Sequence, residues 1–256
     1  MNFIDSVSII TPSYNSEEYI SDTIESVINQ SFEDWELIII DDCSNDKTIQ
    51  IINSYISKDN RIVLKQNIGN RGAAYSRNVG LIESKYDYVA FLDSDDIWKR
   101  DKLEKQLSFM KLNNISFSFT GYQIINNIGE PTGKTVDTSQ KGTFSYKDML
   151  AKKATLGCST VMIDKMSFED LLEMPSIRTG QDYAFWLKLL RETNKNAYIY
   201  NEVLTEYRIT PNSISRNKFK KAKRQWFIYR KIEKLNIFKS IYYFCFYAFR
   251  AVFRRS

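Results

Sequence analysis

The chain has 256 residues, 43% apolar and 26% charged, with a net charge of +5, the balance of an ordinary globular protein of one large domain or one domain with a small appendage. It has no histidine and three scattered cysteines, Cys43, Cys158 and Cys245, which excludes Ser-His catalysis and imidazole metal sites and supports neither a disulfide framework nor a thiolate zinc site. The charge is split: residues 216–256 carry 13 Lys/Arg and one acid, Glu233, whereas residues 1–215 carry 23 basic and 30 acidic residues, so an acidic body bears a basic tail suited to a polyanion.

Val7–Thr11 (V-S-I-I-T) predicts a buried strand stopped by Pro12. Asn15, with Glu18 three residues on, reads as a capping box opening a helix through Asn29. Trp35–Ile40 (W-E-L-I-I-I) predicts a second buried strand ending at Asp41 and Asp42. A helix over Thr48–Ile56, a short strand over Arg61–Leu64, the loop Q-N-I-G-N-R-G, a helix over Gly72–Ser84 and a strand over Tyr88–Leu92 follow. Apolar strands alternating with helices imply βαβ units, a parallel sheet and therefore an α/β fold. In such a sheet Thr11, Asp41 with Asp42, and Asp93 with Asp95 lie along one edge.

The segment V-A-F-L-D-S-D-D (Val89–Asp96) runs from four apolar residues straight into three carboxylates. In an extended backbone residues i and i+2 point the same way, so Asp93 and Asp95 lean toward one spot at the strand's carboxyl end, where open α/β sheets bind ligands. Two readings are open: a site for a hard divalent cation and a diphosphate, or a solvated acidic turn that caps the next helix.

Further on, a helix is expected over Lys99–Leu112, strands over Ile115–Ile125 and Ser159–Ile163, a helix over Tyr183–Arg191, and short strands over Ala197–Tyr200 and Val203–Arg208. Arg216–Lys234 predicts a basic helix and Ile237–Phe253 an aromatic one. The unbroken apolar run Ile241–Phe249 spans about 14 Å as a helix, half of a bilayer core, and extending it buries Lys239 and Arg250 at ~3 kcal/mol each. A helical wheel puts Lys239, Tyr243, Tyr247, Arg250 and Arg254 on one stripe, with Ile237, Ile241, Phe244, Ala248 and Val252 opposite. That pattern suits a helix lying in a membrane interface; packing on the domain's own core, on a second copy, or on nucleic acid are the alternatives. The N-terminus shows no export-signal pattern.

Taken in order, V-S-I-I-T-P-S-Y-N, I-I-I-D-D-C-S-N-D, N-R-G-A-A-Y-S-R-N-V-G, F-L-D-S-D-D-I-W and G-Q-D-Y-A-F-W-L-K-L resemble glycosyltransferase family 2. The resemblance covers about residues 5–215 and implies a GT-A nucleotide-sugar-binding fold with a mostly parallel central sheet. It implies a catalytic domain over 1–215, with a nucleotide-binding half to about residue 98 and an acceptor-binding half over 99–215, and leaves 216–256 as a basic amphipathic helical tail. It assigns Thr11, Pro12, Tyr14, Asn15 and Glu17 to the first nucleotide loop, Asp41 to a hydrogen bond from the uracil ring, and Asp42 to the same pocket. Gly72 and Arg77 belong with the base or diphosphate, and Asp93 and Ser94 with the donor. Asp95 becomes the main metal ligand, with Asp93 and Asp96 sharing the role. Arg208 becomes a basic element over the diphosphate, and Asp182 the catalytic base. Relatives usually carry a Glu before that base, where this chain has Gln181.

The implied activity is an inverting, metal-dependent hexosyltransferase. It would move a hexose or N-acetylhexosamine from a UDP-sugar, with Mn2+ or Mg2+, to a glycan hydroxyl. The basic tail points to a lipid-linked acceptor and to a cytoplasmic protein held peripherally at the inner face of a bacterial plasma membrane, without nucleic acid and with a homodimer open. The alternative is a catalytically silent, membrane-associated nucleotide-sugar or glycan-binding module. A dehydrogenase is disfavoured because no G-x-G-x-x-G follows the first strand.

Overall fold

The computed structural model describes residues 6–210 and 218–253. Strands β1 (Val7–Ser13), β2 (Trp35–Asp41), β3 (Ile62–Gln66) and β4 (Tyr88–Phe91) form a parallel block in the spatial order β3-β2-β1-β4. Every residue of β1 and β2 is buried, which accounts for the apolar runs in place of an alternating pattern. Helices α1 (Ile20–Ile28), α2 (Thr48–Ile56) and α3 (Ala73–Glu83) make the crossovers. The chain winds outward from β1 to β3 and then returns to lay β4 on the other side of β1, so the strand order reverses between β1 and β4. Ligands bind at such a switch point, outside the carboxyl ends of the strands. Helix α3 approaches β1 closely because Gly80 faces Ile10; a Cβ at Gly80 would collide with the Ile10 side chain.

Beyond β4 the sheet becomes mixed. Strand β9 (Met162–Asp164) pairs antiparallel with both β4 and β6 (Phe117–Ile125), and β6 pairs in parallel with β10 (Ala197–Arg208), whose far edge takes the short β5 (Ile97–Trp98). The two short strands expected over 197–208 are one strand interrupted by register shifts near Tyr200–Thr205. Strands β7 (Pro131–Val136) and β8 (Thr143–Phe144) were not foreseen; β7 is almost wholly exposed and so carries no apolar signal. Helix α4 (Lys102–Leu112) and the short α5 (Tyr146–Leu150) complete this half with α6 (Gln181–Thr193). Trp186 of α6 wedges between Phe91 and Phe117, ring centroids 5.4 Å from each, at the centre of one of the two buried apolar clusters.

The capping box expected at Asn15 and Glu18 does not form. Helix α1 begins at Ile20, and Asn15 sits in the left-handed region at φ 47°.

The tail is not an appendage either. Helix α7 (Lys218–Phe227) runs into a π-helical turn (Ile228–Ile232), where the Glu233 amide donates to Ile228 O at 2.8 Å. Ile228 and Tyr229 are fully buried in the main cluster, and the Tyr229 hydroxyl donates to Leu150 O at 2.5 Å. Helix α8 (Ile237–Phe253) folds back on this segment, with Phe244 against Trp226 at 5.5 Å and Tyr243 against Tyr229 at 6.3 Å. The buried core therefore extends past residue 215 into the π-helical turn. The expected polar stripe also differs: Tyr243 and Tyr247 face the body, while Phe238, Ile241 and Tyr242 face out. The expected start at Arg216 and the stripe residue Arg254 lie outside the described residues.

Candidate functional site

Just past β4, the Leu92 amide donates to Ile10 O of β1 at 3.0 Å, and the chain turns through residues 93–96. The turn is fastened from behind. The Asp93 amide donates to Ser159 Oγ at 3.1 Å, the Ser159 hydroxyl to Asp96 Oδ2 at 2.5 Å, and the Arg208 amide to Asp96 Oδ1 at 2.9 Å. Asp96 is fully buried, and burial, with the nearby charges of Asp95 and Asp93, pushes its carboxyl well above the usual range. Held by a hydroxyl on one oxygen and an amide on the other, Asp96 anchors the turn in this conformation and is closed off from solvent. Arg208 is likewise buried, only 3% exposed. Its guanidinium reaches Asp95 O at 2.8 Å, Asn127 O at 2.9 Å and the Asp22 carboxylate at 2.8 Å, so in this conformation it braces the turn from within.

Asp93 and Asp95 remain half-buried at the cleft. The Arg77 guanidinium of α3 pairs with Asp93 Oδ1. No ion pair engages Asp95 among the described residues, and burial together with the Asp93 charge raises its carboxyl to about 6. Burial alone would lower the Arg77 pKa; Cys158, Asp93 and Asp182 outweigh it and hold Arg77 above its ordinary value. Arg77 Nε and Nη1 are buried without a hydrogen-bond partner among the described residues.

The first two loops lace to each other. Ser16 N donates to Thr48 Oγ1 at 2.7 Å, Asn45 N to Asn15 Oδ1 at 2.9 Å, and Lys47 N to Glu17 Oε2 at 2.9 Å. Ser16 Oγ lies 2.8 Å from Ser94 Oγ and ties these loops to the acidic turn. Asp41 is fully buried and accepts from the Ser44 amide at 2.9 Å and hydroxyl at 2.5 Å. Asp42 accepts from Asn67 Nδ2 at 2.8 Å, Arg71 N at 2.8 Å and Gly72 N at 2.6 Å, and so shapes the loop ahead of α3, in which Gly72 takes φ +87°. Thr11 and Pro12 are buried within β1. Thr11, Pro12, Asp41 and Asp42 are thus buried in this conformation, whereas Tyr14, Asn15, Glu17, Gly72 and Ser94 retain accessible surface.

Asp182 lies in the first turn of α6, entered through Gly180 at φ +76°. It and Asp93 act on the same two groups, Arg77 and Cys158, which puts the helix start and the acidic turn in one electrostatic neighbourhood. The loop before Gly180 is held from α3. Asn78 Nδ2 donates to Met174 O at 3.0 Å and the Met174 amide to Asn78 Oδ1 at 2.7 Å. Arg77 and Asn78, neighbours in sequence, therefore reach the two acidic segments separately. Ser16, Asn78, Cys158 and Ser159 were missed as organisers; their signal is tertiary, except for Asn78, which stands beside Arg77 in the R-N pair.

The fit to a divalent cation rests on two carboxylates at one place, one raised by the other's charge. Among the described residues no group of three or more Asp, Glu, His or Cys could hold a metal alone. An Mg2+-type site needs only one or two carboxylates when water and phosphate oxygens complete the shell, and Asp93 with Asp95 meets that need.

The model of the family "Glycosyl transferase family 2" matches residues 8–172. The chain is 49% identical over 249 residues, 97% of each chain, to TuaG of Bacillus subtilis, a glycosyltransferase assigned to teichuronic acid biosynthesis. It is 42% identical over 220 residues, 86% of this chain and 83% of the other, to WfgD of Escherichia coli, named a UDP-Glc:alpha-D-GlcNAc-diphosphoundecaprenol beta-1,3-glucosyltransferase. Among solved structures, Staphylococcus aureus TarS 1-349 in complex with UDP-GlcNAc aligns with a TM-score of 0.73 at 22% identity, over 89% of this chain and 65% of that one, a likeness of fold.

Proposed function

The chain belongs to glycosyl transferase family 2, and from that premise we propose that it is an inverting glycosyltransferase moving a hexose or N-acetylhexosamine from a UDP-sugar to a hydroxyl of a lipid-linked saccharide, at the inner face of a bacterial membrane. The observation that carries this reading is the pairing of Asp93 and Asp95 at the end of β4 with Asp182 at the start of α6, all around the buried Arg77. The donor and acceptor printed in WfgD's name support the substrate class.

Asp95, with Asp93 beside it, would hold the divalent cation. When bound, that cation neutralises charge gathering on the departing diphosphate. Arg77 pairs with Asp93 and keeps that carboxylate in a fixed orientation beside the cation position. Tyr14, which is exposed, and Ser94 would complete the donor side. Asp182 accepts the proton of the acceptor hydroxyl as that oxygen bonds to the anomeric carbon and the bond from carbon to phosphate oxygen breaks. A single displacement inverts the anomeric centre.

The test is Asp182→Asn. Base catalysis contributes about 10²–10⁴-fold, so transfer should fall by that order while UDP-sugar binding, read by calorimetry, stays near wild type. Retention of more than roughly a tenth of the turnover removes Asp182 from the role. A protein that binds UDP-sugar and never hydrolyses it in the presence of Mn2+ is the silent binding module instead.

A further inference from the structure

We propose that helix α8 is a docking surface for an anionic lipid bilayer, receiving it on the face that bears Phe238, Ile241, Tyr242 and Phe246. The inference rests on the reading of a lipid-borne acceptor and adds the surface by which the chain meets that lipid.

These four side chains are exposed by 80%, 48%, 58% and 37%. Their spacing puts them on one helical stripe. The opposite face is already occupied: Ser240 is fully buried, Tyr243 packs on Tyr229 and Phe244 on Trp226. The outward stripe is therefore a second apolar surface on a helix that has already met its core, and continuous exposed patches of this kind mark protein or membrane contacts. No helix among the described residues is long and apolar enough to cross a membrane, so α8 would lie along a bilayer, at the depth of its headgroups.

Charge selects the occupant. Residues 218–239 hold nine Lys/Arg and a single acid, Glu233. That acid is turned inward, where Arg191 pairs with it and the Tyr146 hydroxyl donates to it at 2.7 Å. Lys231 and Lys234, in the residues leading into α8, and Lys239 within it stand exposed. A second copy of the chain would bring the same positive field against this one, which repels, whereas anionic headgroups attract juxtamembrane lysine and arginine.

The surface is also rigidly joined to the catalytic body. Arg224 of α7 lies against Gly180, the residue that opens the helix carrying Asp182, and the π-helical turn beneath α8 is part of the core. A bilayer held by α8 would keep a fixed bearing on the acceptor end of the cleft.

The test uses the full chain and flotation with vesicles. Deleting the tail is unsuitable because it removes Ile228 and Tyr229 from the core. The double substitution Phe238→Asp and Tyr242→Asp alters exposed side chains only, and Lys231→Glu with Lys239→Glu changes the charge alone. Wild type should float with phosphatidylcholine vesicles containing about a third phosphatidylglycerol and not with phosphatidylcholine alone, and each double variant should lose about 10-fold or more of that binding. Undiminished flotation of both variants, or no flotation of wild type, overturns the proposal. So does a wild-type dimer that the Phe238/Tyr242 variant converts to a monomer, which would make the stripe an interface between copies. UDP-sugar hydrolysis by the same preparations reads the enzymatic assignment separately: active protein that does not float defeats only this inference, and floating protein without activity defeats only the other.

Discussion

Trp186 packs edge-on against Phe91, with ring centroids 5.4 Å apart and planes at 66°. Each ring stands just behind an acidic group of the site: Asp182 is one helical turn before Trp186, and Asp93 is two residues after Phe91. The contact sets the spacing between the helix start that carries Asp182, the proposed base, and the strand end that carries Asp93 and Asp95. Trp186→Phe shrinks this wedge within a fully buried cluster. A large-to-small change here should cost about 1–3 kcal/mol and lower kcat more than it weakens UDP-sugar binding. Thermal unfolding and steady-state kinetics measure the two effects; an altered donor affinity with unchanged kcat would contradict the spacing role.

Asn78 substitutes for a strand partner in holding Met174, giving and receiving one hydrogen bond. Asn78→Ala leaves two main-chain groups unpaired, a loss of about 1–3 kcal/mol. The loop that leads into Gly180 should loosen, seen as faster amide exchange over residues 172–180 and a lower rate of transfer. Exchange spread evenly over the molecule would count against it.

Asp95 gives a pH signature. Its carboxyl is raised from 3.8 to about 6, chiefly by burial and then by Asp93. Between those values the folded state holds a proton that the unfolded state has released, so this group's contribution to stability is full at low pH and is lost as pH rises through about 6. Asp95→Asn keeps the neutral form throughout. The melting temperature of the variant relative to wild type, both without metal, should therefore climb from about pH 5 to pH 7. A difference that does not vary with pH would refute the assignment.

The same carboxylate predicts how metal and nucleotide cooperate. UDP with Mn2+ should stabilise wild type at neutral pH, by roughly 5–10 °C when ligand exceeds its dissociation constant about a hundredfold. Removal of Mn2+ by chelator, or Asp95→Asn, should erase most of that gain. Equal stabilisation by UDP in excess chelator would show that the diphosphate binds without a cation.

Gly180 leaves no room for a side chain. A Cβ there would lie 2.9 Å from Arg224 Cδ and 3.2 Å from Ile228 Cδ1, on a backbone at φ +76°. Gly180→Ala should destabilise by about 1–3 kcal/mol. Adding Arg224→Ala relieves the collision and leaves the backbone strain, so the double variant should recover part of the loss, a coupling that unfolding curves detect. Strict additivity would place α7 away from this turn.

Much of the nucleotide-binding half was legible in the chain, because β1, β2 and β4 are buried on both faces and read as apolar runs, and because the acids follow them directly. The division of labour among those acids was not. Asp95 and Asp96 are adjacent, yet one opens on the cleft and the other is closed in by Ser159 and Arg208, partners 63 and 112 residues away. Local pattern carries no trace of such contacts. Strand β7 escaped notice because it is exposed, and the facing of α8 was misjudged because its aromatic residues surround the helix, so a wheel finds two plausible apolar sides and only packing against Trp226 and Tyr229 decides between them.

Strand β9 has one more effect. By bonding to β4 on one side and β6 on the other, it stitches the parallel block to the mixed half of the sheet through main-chain ladders. Two lobes joined in this way cannot swing apart about a hinge as separate domains do. Any opening of the site must then come from short surface segments over an unyielding floor.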